Sequence, residues 1–258
     1  MQENLYKIPA NTNFIGKKII YLPTCHSTND IATELLPQLE EGSVVITSRQ
    51  TAGRGQRGNV WEAEAGANLT FSVVLKPTFL PLNKQFYFNM CVALAIAEGI
   101  ASFLGKNASN LKLKWSNDIY FEHRKLGGVL IENSIENAHL RTSVVGIGIN
   151  VNQEIFAYPQ AISLRNILHI SLVLADVLEN ILTCLETRYL ELRGKEYKKL
   201  KEDYLEALYA YHETKTFQDN KGRVFAGEII GVEESGRLII ESHEGKQAYD
   251  FKEVVFLR

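Results

Sequence analysis

The chain has 258 residues, 45% of them hydrophobic, with a formal net charge of −2. That is enough for one large domain, or a large domain with a small appendage, and the near-neutral balance argues against a nucleic-acid binder held by a basic face. Three widely separated cysteines, Cys25, Cys91 and Cys184, form neither a disulfide framework nor a metal-ligand spacing and suggest a reducing compartment.

In chain order, 17–23 reads as a strand, and Ser27-Thr28-Asn29-Asp30 has the form of a capping box opening a helix. The segments 43–50 and 67–77 read as strands, and 84–104 as a long apolar helix ending at Gly105. Segments 111–115, 119–121, 126–136 and 140–152 are strand-like, the last two paired through a turn near Asn137. Helices are expected over 163–193 and 195–211. The tail alternates in short strands separated by Gly-containing turns, which places a boundary near residue 212 and a small SH3-like barrel after it. The apolar stretches carry Glu98, Asp176, Glu179 and Asn180, so they read as amphipathic core helices rather than membrane spans. No apolar signal segment is visible near the start, and a soluble, cytoplasmic protein is expected.

Between the second and third strands lies Gly53-Arg54-Gly55-Gln56-Arg57-Gly58, a match to G-x-G-x-x-G. The dinucleotide fingerprint requires a helix to begin in the loop, and here the loop runs on into a strand. A kinase loop requires H-R-D and D-F-G aspartates, and neither follows. What remains is a loop whose backbone can approach an oxyanion closely and whose Arg54 and Arg57 can bring guanidinium groups to it.

Further along stand Lys114-Trp115-Ser116-Asn117-Asp118, then Lys125-Leu126-Gly127-Gly128-Val129-Leu130-Ile131-Glu132, then Gly146-Ile147-Gly148-Ile149-Asn150. With the Ser-Thr-Asn start and the G-R-G-x-R-G-x-x-W loop, this ordered set resembles the biotin–protein ligase family over nearly the whole chain. The resemblance implies an α+β fold, a mixed and mostly antiparallel sheet flanked by helices as in class II synthetases, followed by an SH3-like barrel. The expected division is residues 1–211 and 212–258. It implies ATP-dependent formation of biotinyl-AMP and transfer of biotin to a lysine of a biotin carboxyl carrier domain. ATP with Mg2+ and biotin are expected as substrates, with no permanently bound cofactor.

The same resemblance implies roles for individual residues. Arg54 and Lys125 are the expected catalytic cations. Biotin is expected against Ser27, Thr28, Asn29, Gln50, Gly53, Arg54, Gly55, Gln56, Lys125 and Gly128. ATP is expected against Arg57, Trp61, Lys114, Asn117 and Asn150, with Asp118 as a magnesium ligand. Glu132 and Trp115 read as structural. Three positions depart from the usual pattern: Gln56 stands where arginine is common, Ser116 where proline is usual, and Asn59 where a basic residue is frequent. Gln56 can hydrogen-bond but not neutralise, which weakens the expected grip on the adenylate.

Fewer than twenty residues precede the first strand, too few for a helix-turn-helix module, so a form without its own DNA-binding domain is expected. Neither nucleic acid nor membrane is expected as a partner; a homodimer is compatible with the sequence. A lipoate–protein ligase shares the fold and the adenylate step, but its glycine-triplet loop is missing. An inactive biotin-binding or interaction protein on the same fold is the other alternative.

Overall fold

The computed structural model of the chain describes residue 6 and residues 11–257. Strand β3, Leu69–Leu75, is buried at all seven positions, because it is an interior strand of its sheet. The sheet has seven strands: β1 (Ile19–Leu22), β2 (Val44–Thr47), β3, β4 (Leu111–Lys114), β5 (Asp118–Phe121), β6 (Arg124–Glu136) and β7 (His139–Ile149), in the order β1-β2-β3-β7-β6-β5-β4. Only β1 and β2 run parallel. Their connection therefore has to cross over, and it carries helix α1, Thr28–Glu34.

Strand alternation sorts the side chains between the two faces. Leu69, Phe71, Val73 and Leu75 enter the main core with helices α2 (Gln85–Leu104) and α4 (Leu174–Arg193). Val74 faces the other way, packing with Val45, Val144 and Ala32 of α1 in a separate small cluster. That cluster seats α1 on one half of this face and leaves the other half open. On the closed side α2 and α4 approach so tightly that a Cβ at Gly99 would press on the Ile181 backbone. One helical stretch among the described residues, Leu82–Asn110, is long enough for a membrane span and contains an 18-residue window of mean hydropathy 1.6, but 61% of that window is buried within the fold. It is the core helix that the sequence suggested.

The strands fall where they were expected, while two helical segments differ. The expected helix over 163–193 is divided into α3 (Leu164–Leu168) and α4. Ser163 and Asn166 cap α3 reciprocally, and His169 ends it in the left-handed region at φ 59°. The segment expected to be helical to 211 stops earlier, with α5 spanning Tyr197–Ala207. Its continuation is pulled straight by the edge of β4, where the Tyr209 N–H donates to Leu113 O at 2.8 Å.

Beyond this point come β8 (Thr214–Asp219), β9 (Val224–Val232), β10 (Leu238–Ser242), β11 (Gly245–Tyr249) and β12 (Val254–Phe256). They form a second, antiparallel sheet ordered β11-β10-β9-β8-β12, consistent with an SH3-like unit around Phe217, Phe225, Ile229, Leu238 and Ile240. We propose residue 212 as the boundary, since His212 N–H already donates to Ile229 O inside the second sheet. The barrel is docked firmly. Glu234 meets Lys84 at 2.5 Å, and Trp115 Nε1 donates to Gly236 O at 2.8 Å.

At the other end, the buried Glu186 of α4 accepts the N–H groups of Asn13, Phe14 and Ile15 at 2.5, 2.9 and 2.9 Å. Burial alone would raise its pKa, but these donors outweigh it and hold the carboxyl below its ordinary value. A carboxyl depressed in the folded state stabilises fully above its unfolded value, about 4.3, and that stability is lost as pH falls through the folded value. Replacing Glu186 by Gln is expected to cost about 1–3 kcal/mol at neutral pH and much less in acid. Denaturant titrations at pH 7 and pH 3 check this, and an equal cost at both would contradict it.

Candidate active site

On the open half of the sheet, strand register aligns Asp118, Gly128, Gly148, Thr70 and Thr47 in one row across five strands. The next row carries Leu130, Gly146, Ser72 and Val45. The middle of this face is therefore floored by small residues, and three of them are glycines. A Cβ at Gly146 would collide with the Asn29 amide, and one at Gly148 with the Trp61 indole. The glycines thus permit Asn29 and Trp61 to lie directly on the sheet. Above the floor is a cleft of about 780 Å³.

One wall is the first turn of α1. Ser27 caps the helix, its Oγ accepting from Asp30 N–H at 3.5 Å, and Thr28 and Asn29 are buried behind it. Gln50 Oε1 accepts from the Thr28 N–H at 2.7 Å. Ser72 Oγ lies 2.6 Å from Asn29 Oδ1 and 2.8 Å from Thr28 Oγ1. Asn29 Nδ2 donates to Glu132 Oε2 at 2.7 Å. These contacts join three separate elements into one polar network, which fixes the side chains in place.

The second wall is the glycine–arginine loop, which folds back on itself as a tight hairpin. Gly55 N–H donates to Asn59 O at 2.7 Å and Trp61 N–H to Gly53 O at 3.0 Å. A Cβ at Gly53 would strike the Trp61 carbonyl, so that glycine serves the hairpin's closure and does not line the cleft. Arg54 leans inward to Asp30 and to Glu132, 3.2 Å away. Opposite, Lys125 Nζ lies 2.7 Å from Asp118 Oδ1, and Gly128 leaves room for that pair, since its Cβ would stand within 3.4 Å of both groups. The ion-paired groups are roughly one-third to nearly half exposed. Such pairs are worth only about 0–1 kcal/mol, so an incoming anion can replace Asp30, Glu132 or Asp118 at little cost.

Of the residues singled out by sequence, the cleft gathers Ser27, Thr28, Asn29, Gln50, Arg54, Gly55, Gln56, Trp61, Asn117, Asp118, Lys125 and Gly128. Two others lie outside it. Lys114 pairs with Asp118 and so shares the open face, but at the edge strand β4 its Nζ is held over the rings of Tyr120 and Phe256 at 4.7 and 4.8 Å. Asn150 is buried outside the cleft, where Nδ2 donates to Ile162 O at 3.1 Å. The Arg57 side chain lies outside the described ones. Among residues the sequence reading passed over, Asp30 and Glu132 hold Arg54, Ser72 anchors Asn29, and Phe251 of the barrel closes one side. Glu132 was legible by alternation, since 128, 130 and 132 share one face of β6; for Phe251 the sequence carries no local signal.

Two buried polar atoms at the cleft have no hydrogen-bond partner: Trp61 Nε1 and Asn117 Oδ1. Unsatisfied groups of this kind are rare in a finished interior and mark places a ligand would complete. No group of three or more His, Cys, Asp or Glu able to hold a metal occurs among the described residues.

Residues 21–150, which supply nearly all of this cleft, match the biotin/lipoate A/B protein ligase family. The chain belongs to that family. The bifunctional ligase/repressor BirA of Bacillus spizizenii is 30% identical over 254 residues, spanning 95% of this chain and 76% of that protein. A biotin–[acetyl-CoA-carboxylase] ligase of Paracoccus denitrificans is 36% identical over 126 residues, 48% of this chain and 51% of that one. Among solved structures, the biotin protein ligase of Aquifex aeolicus in complex with biotin and ATP superposes with a TM-score of 0.78 at 25% identity. That match covers 94% of this chain and 99% of the other.

Within this member of the family, the Gly148 contact can be tested without any ligand. Gly148→Ala is expected to push the Trp61 indole off the sheet, shifting tryptophan emission to the red and raising acrylamide quenching severalfold. Trp115, buried and hydrogen-bonded, supplies the constant background. An unchanged spectrum would contradict the packing described.

Proposed function

We propose that this protein is a biotin–protein ligase, which joins biotin to AMP at the expense of ATP and passes the biotinyl group to a lysine of a biotin carboxyl carrier domain. The observation that carries this reading is the placement of Arg54 and Lys125 over a glycine floor, each paired with displaceable carboxylates. The reaction brings a carboxylate against the α-phosphate of ATP. At about 4 Å and an effective dielectric near 20, each pair of like unit charges costs roughly 4 kcal/mol. Cations fixed at the junction offset that repulsion and stabilise the charge that builds up in transfer. Arg54, with its planar fork, suits the carboxylate, and Lys125, a compact point charge, suits the phosphate.

Biotin's ureido ring presents one acceptor and two donors in an apolar body. The buried Ser27, Thr28, Asn29 and Ser72, with the half-buried Gln50, supply groups of both kinds, as selective recognition of a polar ring requires. Trp61 and Asn117, with an unpartnered donor and acceptor, are assigned to the adenine end. Lys114 and Asn150 receive positioning roles instead. Lys114 ties the K-W-S-N-D segment to the barrel, and Asn150 supports the chain beneath Lys125. Magnesium, which usually takes one or two carboxylates together with substrate phosphates, would arrive with ATP, and Asp118 is the carboxylate placed to meet it once Lys125 turns to the phosphate. It would add neutralisation of the triphosphate charge. The three cysteines are free, which suits a reducing compartment, and we place the enzyme in the cytoplasm.

ATP–pyrophosphate exchange with biotin, lipoate and octanoate tests the assignment. Exchange with biotin alone is expected. Exchange with lipoate or octanoate would move the chain to the other branch of its family, and no exchange with any acid would leave a binding protein. A second test separates the two ends of the cleft. Gly146→Ala, which displaces Asn29, is expected to raise KM for biotin about tenfold, the size of one lost hydrogen bond, with little change for ATP. Equal rises for both substrates would remove Asn29 from the biotin end.

A further inference from the structure

Beside the cleft lies a second cavity of about 1000 Å³, between the sheet and the barrel. The two share Gln56, Trp115, Ser116, Asn117, Leu130 and Phe251 as lining, so they are neighbouring spaces, each with its own opening. The second opening has a structural cause. Strand β5 stops pairing with β6 at the Asp118–Gly128 register, and from residue 130 onward that edge of β6 has no neighbouring strand in the sheet. The barrel turns at Ser235-Gly236 and Asp250-Phe251 roof the gap without filling it.

The chemistry of the two openings differs. The cleft carries the ion-paired charges Arg54, Lys125 and Asp118. The side cavity is lined by apolar and aromatic side chains together with neutral amides and hydroxyls, Gln85, Asn89, Asn133 and Ser235 among them, and among the described residues Asp250 is the only ionisable side chain on it. Asp250 is exposed, and its carboxylate has no partner among the described residues. At the junction stands Gln56, whose Oε1 accepts from Ser116 Oγ at 3.3 Å, so the passage is uncharged where the two spaces meet. A phosphate finds no cation here, whereas an ammonium group finds a carboxylate at the rim and acceptors along the wall.

We propose that this side cavity is the entrance for the acceptor lysine of the carrier domain, with Asp250 as the group that draws the ammonium in. The proposal rests on the ligase reading above. Once the adenylate fills the cleft, the amine needs a separate approach to the acyl carbon, and the long flexible stem of lysine suits a narrow one. Beyond the Asp250 rim, where the uncharged lining disfavours the ammonium, it gives up one proton to water. The free amine then attacks the acyl carbon, the C–N bond forms, and the bond from that carbon to the phosphate oxygen breaks. AMP departs with the electron pair, and the second amine proton passes to solvent. The barrel thereby acquires a catalytic purpose, since its two turns build the roof of the entrance.

The test compares the two half-reactions in the full chain, with an unmodified biotin carboxyl carrier domain as the probe. Asp250→Lys reverses the rim charge, and Ser235→Trp narrows the opening with a bulky ring. Both are expected to lower transfer to subsaturating carrier by about tenfold or more, while biotin-dependent pyrophosphate exchange stays within twofold. Transfer at the unaltered rate in both variants would overturn the proposal. So would a parallel fall of exchange and transfer, which would place the cavity in adenylation. A failure of the ligase reading itself is distinguishable, because the unaltered protein would then show no exchange with biotin.

Discussion

Two anions have to be held in contact at this site, and much of the site's architecture follows from that repulsion. Water would screen the charges but would also hydrolyse the product, so fixed cations in a sheltered cleft have to replace it. A pair of bare cations would repel one another in the empty protein. Here each is held by carboxylates that are themselves partly exposed, Asp30 and Glu132 for Arg54 and Asp118 for Lys125. Weak pairing in the resting state is an advantage, because ligand anions then exchange for protein anions at little net cost.

The sheet supplies the rigidity. Its covered face buries aliphatic and aromatic side chains against α2 and α4, so the strands cannot shift. Its open face has been stripped to glycine, threonine and serine where the ligands are to lie, and α1 covers only the half that carries Val45, Val74 and Val144. One alternation along β3 and β7 therefore specifies both the core and the binding floor. The barrel adds the remaining side, docked through Trp115 and Lys114 to the segment that carries Asn117 and Asp118, and through Glu234 to Lys84.

Much of this was legible in the residues. Strands with clear alternation and glycine-marked turns fall where they were expected, and five ordered motifs pointed to most of the cleft. Where the reading missed, tertiary contacts had overridden local pattern. Apolar periodicity runs through 163–193, yet a capping box and a left-handed His169 divide it. The helix expected to reach 211 is straightened by pairing with β4. Motifs supply residue identity but not direction. Lys114 sits in one and shares the open face with Asp118, yet at the sheet edge its ammonium is held over Phe256 of the barrel and not in the cleft. Glu132 was taken as structural although it shares a face with Gly128. Phe251 reaches the cleft from the far end of the chain, which no local pattern predicts.

The central claim is that Arg54 and Lys125 together neutralise the junction of carboxylate and phosphate. Single-turnover formation of biotinyl-AMP, measured by rapid quench in Arg54→Met, Lys125→Met and the double variant, addresses it directly. The account predicts that each single change slows adenylate formation at least a hundredfold, on the scale of a lost transition-state donor, and that the double change costs less than the product of the two because they act on one charge cluster. Adenylate formation at near-normal rates in either single variant would contradict it.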